Sequence, residues 1–409
     1  MRGWTGGQYS IYRALFGIYL LIHFAMLIPF GRELFSSEGI LPRDASPLFK
    51  LFPNVLLLSD APAVILTMLV VASLAAILFA IGWLDRTAAL VMWYVLACLF
   101  GRNPLIANPS LPYVGWLLLA HLFVPPAPFG SWAARGRVDP RGGWQMPRAI
   151  HTAAWIVMAA GYSFSGWTKL ISPSWVDGTA MAHVLANPLA RPSFVREAVL
   201  AMPPIFLQLA TWGALALELL YAPLALSRKA RPWIWTAMLL MHLGLMVLID
   251  FADLSFGMVI LHLFTFDPAW VRGRAAETKD LVFYDGTCGL CHRGMRWLVA
   301  EDASGTAFDF APIGMDRFHA ELPSSGELPD SVIVKTASGE VLVRSAAVVH
   351  ILHRLGGFWR IGGFLFGAIP RVVRDPLYDF VASIRYRIFG RTKDACPLMP
   401  PDLRGRFTV

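Results

Sequence analysis

The chain has 409 residues, of which 56% are apolar and only 15% charged, against about 25% charged in an ordinary soluble protein. So few charged side chains cannot coat a water-soluble body of this size, so lipid must solvate much of the chain. Four cysteines are too few for a disulfide scaffold, and the net charge of +8 comes without the basic groove and base-stacking pattern of a nucleic-acid binder.

The charge is unevenly placed. Residues 279–409 hold 16 Lys+Arg and 14 Asp+Glu, whereas the much longer stretch 1–278 holds 19 and 13. The change follows Pro268, Arg272, Arg274 and Glu277 and divides the chain into a membrane domain, 1–277, and a water-facing domain, 278–409. The predicted fold is a polytopic α-helical membrane bundle of about eight spans followed by an α/β domain.

Apolar runs near 11–30, 56–83, 87–101, 111–125, 148–170, 204–226, 232–249 and 254–267 predict the eight spans, with about 17–25 residues needed to cross the hydrocarbon core. No signal-type cleavage site follows the first run, so it is expected to be retained. Basic residues such as Arg2, Arg13, Arg86, Arg141, Arg228 and Arg272 outnumber those on the opposite side, such as Arg32, Arg43, Lys50 and Arg191. That bias predicts a protein of the cell's inner membrane with both termini and the 278–409 domain in the cytoplasm. Lys169 would then face outside, opposite the cysteines described below.

The fifth run ends with Tyr162, Ser165, Gly166 and Lys169, which share one face at helical spacing. Alone, such a lysine is a snorkelling anchor. The pattern Tyr162-x-x-x-Gly166-x-x-Lys169-Leu170, followed by Trp175-x-Asp177-Gly178, resembles the HTTM domain shared with vitamin K-dependent gamma-carboxylase. Arg13 with Gly17, Arg102-Asn103, Glu218 and His242 agree with that family, and the resemblance covers roughly residues 8–270. It implies a bundle that binds a lipoquinone, with Lys169 as the base that starts oxygen chemistry on the reduced quinone. Tyr162, Glu218, His242 and Trp175 are the substrate-binding residues. Ionisable groups inside a membrane are costly, so Glu218 and His242 are site residues by default; the plain readings are an arginine partner for Glu218 and a satisfied core role for His242. His23, His121, His151 and His262 match no motif and are read as structural. The carboxylase's large β-rich capture domain has no counterpart in these residues, and Asn108-Pro109 stands where an Asn-His pair is expected. Glutamate carboxylation is therefore only an alternative.

After residue 278 the pattern changes. Leu281 to Tyr284 reads as a strand, Gly286 as a turn, and the apolar periodicity from Cys288 as a helix. Cys288 then sits at a helix amino terminus, where unpaired N–H groups favour anionic sulfur, and Cys291 lies one turn on, within disulfide reach. Strands near Phe308, Val332 and Val341 and a helix from about Ser345 to Leu355 complete a thioredoxin-like order. Half a zinc site, a c-type haem attachment through Cys288, Cys291 and His292, and a pair without chemistry remain as rival readings.

The segment 281–409 resembles the DCC-type thiol-disulfide oxidoreductases through Asp285, Cys288 and Cys291 in Tyr-Asp-Gly-x-Cys-x-x-Cys. Ser345-Ala-Ala-Val, Ile384-Arg-Tyr-Arg-Ile-Phe-Gly and Cys396-Pro before Arg404-Gly-Arg-Phe extend the likeness. It implies that Cys288 attacks, Cys291 resolves, and Asp285 orients the turn or moves a proton. No metal or cofactor is required for the dithiol. Pro329 is a position for a cis-proline facing the sulfurs, and Cys396 reads as a buried thiol. The basic, aromatic stretch 358–393 is expected to lie against anionic lipid. The expected partners are membrane lipid, a protein thiol or disulfide, and a quinone, with no nucleic acid. The leading function is a membrane thiol-disulfide oxidoreductase of the protein-disulfide reductase type. The alternative is a maturation accessory that binds a peptide or protein and keeps it reduced.

Overall fold

A computed structural model of the chain describes residues 3–106, 108–250, 252–274, 278–322, 328–392 and 399–408. Glu277, Lys393 and Cys396 lie outside the described residues. The chain divides into two compact units, one of Tyr12–Val124 with Pro147–Phe266, the other of Met1–Ile11 with Pro125–Met146 and Asp267–Val409.

The first unit is helical. Its main helices are α1 (Gly6–Leu27, whose first turn belongs to the other unit), α2 (Pro62–Ile81), α3 (Asp85–Arg102), α4 (Leu111–His121), α5 (Arg148–Lys169), α6 (Pro204–Leu219), α7 (Arg231–Leu248) and α8 (Ala252–Thr265). Each falls on one of the eight apolar runs. Among the described residues, three stretches are long and apolar enough to cross a membrane by themselves: Gly6–Phe35, Pro62–Ile81 and Arg231–Leu248. A fourth joins Phe194–Leu200 to α6 across a bend of 104°. The others fall short for physical reasons. Eleven residues in α4 rise only about 16 Å, and α3 carries Asp85, Arg86 and Arg102. Eight complete spans are thus more than the helices themselves support.

Charged groups inside this unit are paired. Asp85 lies 3.8 Å from Arg13 and 3.5 Å from His121, and the buried Arg102 donates to Asp60 and to the carbonyls of Ser36 and Leu41. Such pairing is what makes burial of charge tolerable.

The second unit carries a four-stranded mixed sheet in the order β2-β1-β3-β4, with β1 (Asp280–Tyr284), β2 (Phe308–Pro312), β3 (Ile333–Lys335) and β4 (Val341–Val343). Strand β1 runs parallel to β2 and antiparallel to β3, with Val282 opposite Phe310 and Val334; β3 and β4 form an antiparallel hairpin. Between them lie α9 (Gly289–Glu301) and, after the hairpin, α10 (Arg344–Leu355), α11 (Gly357–Ala368) and α12 (Arg371–Phe389). Strand, Cys-x-x-Cys helix, strand, hairpin and helix follow in the order read from the sequence.

Every residue of β1 is buried, as a strand covered on both faces must be. Alternate side chains feed two cores. Val282 and Tyr284 pack with Leu298, Phe310 and Ile351 on one face, Leu281 and Phe283 with Phe318 and Ile333 on the other. The buried Asp280 carboxylate is held by His350 and Arg354, each at 2.8 Å. Glu301, at the end of α9, supplies the acceptor that the first turn of a helix lacks: it takes the Gly7 amide at 3.0 Å and the Thr5 hydroxyl, and also the Trp359 indole. That anchoring is why the first eleven residues belong with the sheet. No peptide bond among the described residues is cis, so Pro329 is not the cis-proline read from the sequence; it sits in an ordinary trans connection before Asp330.

Candidate functional site

Cys288 is the N-cap of α9, with extended backbone (φ −97°, ψ 121°). Its sulfur accepts the Cys291 amide at 3.4 Å, so the two sulfurs share the amino end of one helix. Residues 389–392 cross this end closely: the Gly289 amide donates to Gly390 O and the Thr392 amide to Thr287 O, while Cys288 bridges Arg391. A Cβ at Gly289 would lie 2.2 Å from Phe389 O, so only glycine admits the crossing chain. The consequence for access is uneven. Cys288 is fully buried and Cys291 half-buried.

Asp285 is held on every side. One carboxylate oxygen accepts the Thr287 amide and hydroxyl at 2.8 and 2.9 Å; the other accepts Arg385 at 3.1 Å and the Tyr386 hydroxyl. Arg385 also reaches Asp330 at 2.8 Å. Burial pushes the Asp285 carboxyl up, but the hydrogen bonds from Tyr386, Thr287 and Arg385 together outweigh it and hold the group below the usual carboxylate range. Burial also pushes the Cys291 thiol well up, reinforced by the Cys288 sulfur and the Asp285 carboxylate and opposed by Arg385.

A cavity of about 230 Å³ opens beside Cys291. Its walls are largely apolar, from Leu290, Met295, Leu298, Val332 and Ile351, with Asp285, Asp330 and Arg385 at the polar side. The rival chemistries fit less well. Ligand atoms of Asp285, Cys288 and Cys291 lie within 4.8 Å of one another, but a closed zinc site needs four ligands and both Asp285 oxygens are engaged. His292 Nε2 is bonded to Gly286 O at 2.9 Å in a buried position, which occupies the nitrogen that a haem iron would need.

The site residues read from the first 277 positions gather in the helical unit. Lys169 Nζ pairs with the buried Glu218 carboxylate, donates to Ser165 Oγ at 3.2 Å and lies 4.6 Å from the Trp175 ring centre. Glu218 is therefore partnered by a lysine, not by an arginine. Gly166 makes the pairing reachable: a Cβ there would stand 2.8 Å from Leu219 N, so α5 and α6 meet backbone to backbone. Two turns back, the Tyr162 hydroxyl meets His242 Nε2 at 2.7 Å and His262 Nδ1 at 3.5 Å. His262 also contacts Met258 O, and was missed by motif matching; its burial as an ionisable group within an apolar run is the signal that would have found it. Arg385 and Tyr386 were likewise not named as site residues, although they lie in the Ile384–Gly390 segment that carries the DCC likeness.

The comparisons with known proteins address the sheet-bearing unit. Residues 282–391 match the family model described as DCC1-like thiol-disulfide oxidoreductase. The uncharacterized protein YuxK of Bacillus subtilis is 32% identical over 129 residues, 31% of this chain and 92% of that protein. A chloroplastic DCC family protein of Arabidopsis thaliana is 27% identical over 135 residues, 32% of this chain and 77% of that protein. No solved structure matches. A dithiol at a helix N-cap, clamped through Asp285 and lying inside the matched residues, identifies the chain as a member, by its carboxy-terminal domain, of the DCC1-like thiol-disulfide oxidoreductase family.

Proposed function

We propose that the chain is a membrane-bound thiol-disulfide oxidoreductase in which Cys288 is the attacking sulfur, Cys291 the resolving one and Asp285 an orienting group. The carrying observation is the shared helix end, with the Cys291 amide on the Cys288 sulfur and Cys291 held as a thiol by burial. The Cys288 thiolate attacks a disulfide, forming a mixed disulfide and releasing one substrate thiolate. Cys291 then loses its proton and attacks the Cys288 sulfur, which releases the second thiolate and leaves the Cys288–Cys291 disulfide. Two electrons pass to the substrate, and an external dithiol restores the pair. Asp285, held ionised by its hydrogen bonds, fixes the turn and leaves the proton to solvent. The polar cluster of the helical unit supports a second part of the reading, an HTTM-type bundle that holds a lipoquinone. The buried nitrogens His242 Nδ1 and His262 Nε2 have no partner among the described residues, and buried polar atoms are normally satisfied. They and Tyr162 would hold the quinone oxygens, and Lys169 with Glu218 would flank them. When bound, the quinone supplies a two-electron acceptor soluble in lipid.

In a Cys396→Ser background, dithiol-dependent reduction of a small disulfide by the detergent-purified chain should fall about 10²-fold or more on Cys288→Ser; unchanged turnover contradicts the redox reading. Lipid extracts of the purified protein should contain quinone, and less of it after His242→Leu. Extracts without quinone remove that part and leave the dithiol chemistry standing.

A further inference from the structure

Helices α11 and α12 carry an apolar stripe that is exposed among the described residues. Val372, Val373, Leu377, Phe380 and Ile388 follow one another at helical spacing on α12, and they and Leu365 of α11 are all exposed, Leu365 by 70% and Val372 by 79%. An exposed apolar face of this length marks an interaction surface. The charges beside it are mainly basic. Arg371, Arg387 and Arg391 are exposed, whereas both acidic groups of α12 are partnered: the part-buried Asp375 accepts the Ser345 hydroxyl, and the exposed Asp379 pairs with Arg344 at 3.2 Å. Apolar stripe and basic flank together fit a bilayer surface with anionic headgroups. The same chain contributes helices long and apolar enough to cross a membrane, so a bilayer is always within reach of this domain.

We infer that α11 and α12 lie in the membrane interface, with the Leu365–Ile388 stripe among the acyl chains and the arginines at the headgroups. Tyr378, Val381, Ala382 and Arg385 of α12 form one wall of the cavity beside Cys291. The inner side of the interfacial helix thus lines the cavity beside the dithiol, so a disulfide carried at the lipid surface lies next to that cavity. Embedding does not depend on the redox reading, and the test below uses a chain without reactive sulfurs.

The full chain, with Cys98→Ala and Cys288→Ser, Cys291→Ser and Cys396→Ser, is reconstituted singly in nanodiscs of phosphatidylcholine and phosphatidylglycerol. A nitroxide is attached through Val372→Cys, Phe380→Cys or, as a control on the exposed hairpin, Glu340→Cys. The inference predicts several-fold greater accessibility to oxygen than to a water-soluble nickel chelate at positions 372 and 380, the reverse at 340, and a smaller contrast in phosphatidylcholine alone. Nickel accessibility at 372 and 380 equal to that at 340 overturns it. So does dipolar broadening between labels at 372 when the same labelled chain is reconstituted at several copies per bilayer in liposomes, which would assign the stripe to a second copy of the chain. Retention of the parent melting temperature shows that each labelled chain is folded.

Discussion

The dithiol and the polar cluster of the helical unit solve related problems by different means. Around Cys288 and Cys291, seven consecutive residues from Asp285 to Cys291 place the carboxylate and both sulfurs, and the helix end does the positioning. In the helical unit, Lys169, Glu218, Tyr162, His242 and His262 come from four helices and meet only because those helices pack. Local chemistry survives as a motif, whereas chemistry assembled by packing leaves only isolated polar residues in apolar runs. The first kind of site takes only its clamp, Arg385 and Tyr386, from distant sequence. The second depends on every helix contact that brings its members together.

The difference can be broken most severely at Glu218. Removing it by Glu218→Ala leaves the Lys169 amine without its carboxylate in a partly buried position, an expected cost of about 3 kcal/mol read as a lower melting temperature in detergent. The double variant Lys169→Met/Glu218→Leu should recover most of the loss, and a single variant as stable as the parent would mean that the pair is not formed. A smaller break is expected at the motif end. Gly289→Ala forces its Cβ against Phe389 O and should cost about 1–3 kcal/mol while increasing alkylation of Cys288, because residues 389–392 must lift away. Unchanged stability and labelling would contradict the close crossing.

The finest test concerns Glu301, whose carboxyl is pushed up by burial against the hydrogen bonds of Thr5, Trp359 and Gly7. A carboxyl raised on folding contributes stability that is complete below its unfolded value of 4.5 and is lost as the pH rises through the folded value. Melting temperatures of the intact chain should therefore decline upward from that point, and Glu301→Gln should flatten the decline. Identical pH profiles would remove Glu301 as its source.

These contrasts also explain what could be read in advance. The order of elements around β1 and α9 was legible, because a buried strand, a turn and an amphipathic helix each leave a local period. The eight apolar runs located eight helices but not their capacity to span, since α3 carries charge at both of its ends and α4 is short. The Glu301 contacts with Thr5 and Gly7 join residues almost three hundred positions apart, and no local pattern announces them. The clamp on Asp285 was half visible: the Ile384–Gly390 segment stood out, yet only folding shows that Arg385 and Tyr386 meet the motif carboxylate.

The proposed chemistry turns on which of the two sulfurs acts first. Cys291 borders the cavity and Cys288 is buried, so exposure and helix position point to different sulfurs, and trapping separates them. With Cys396→Ser as background, Cys291→Ser and Cys288→Ser chains in detergent are exposed to a small disulfide and analysed by intact and peptide mass spectrometry. A stable mixed disulfide on Cys288 in the Cys291→Ser chain, with little adduct on Cys291 in the Cys288→Ser chain, is the predicted result. The opposite pattern, with Cys291 capturing the substrate and Cys288 inert, would contradict it.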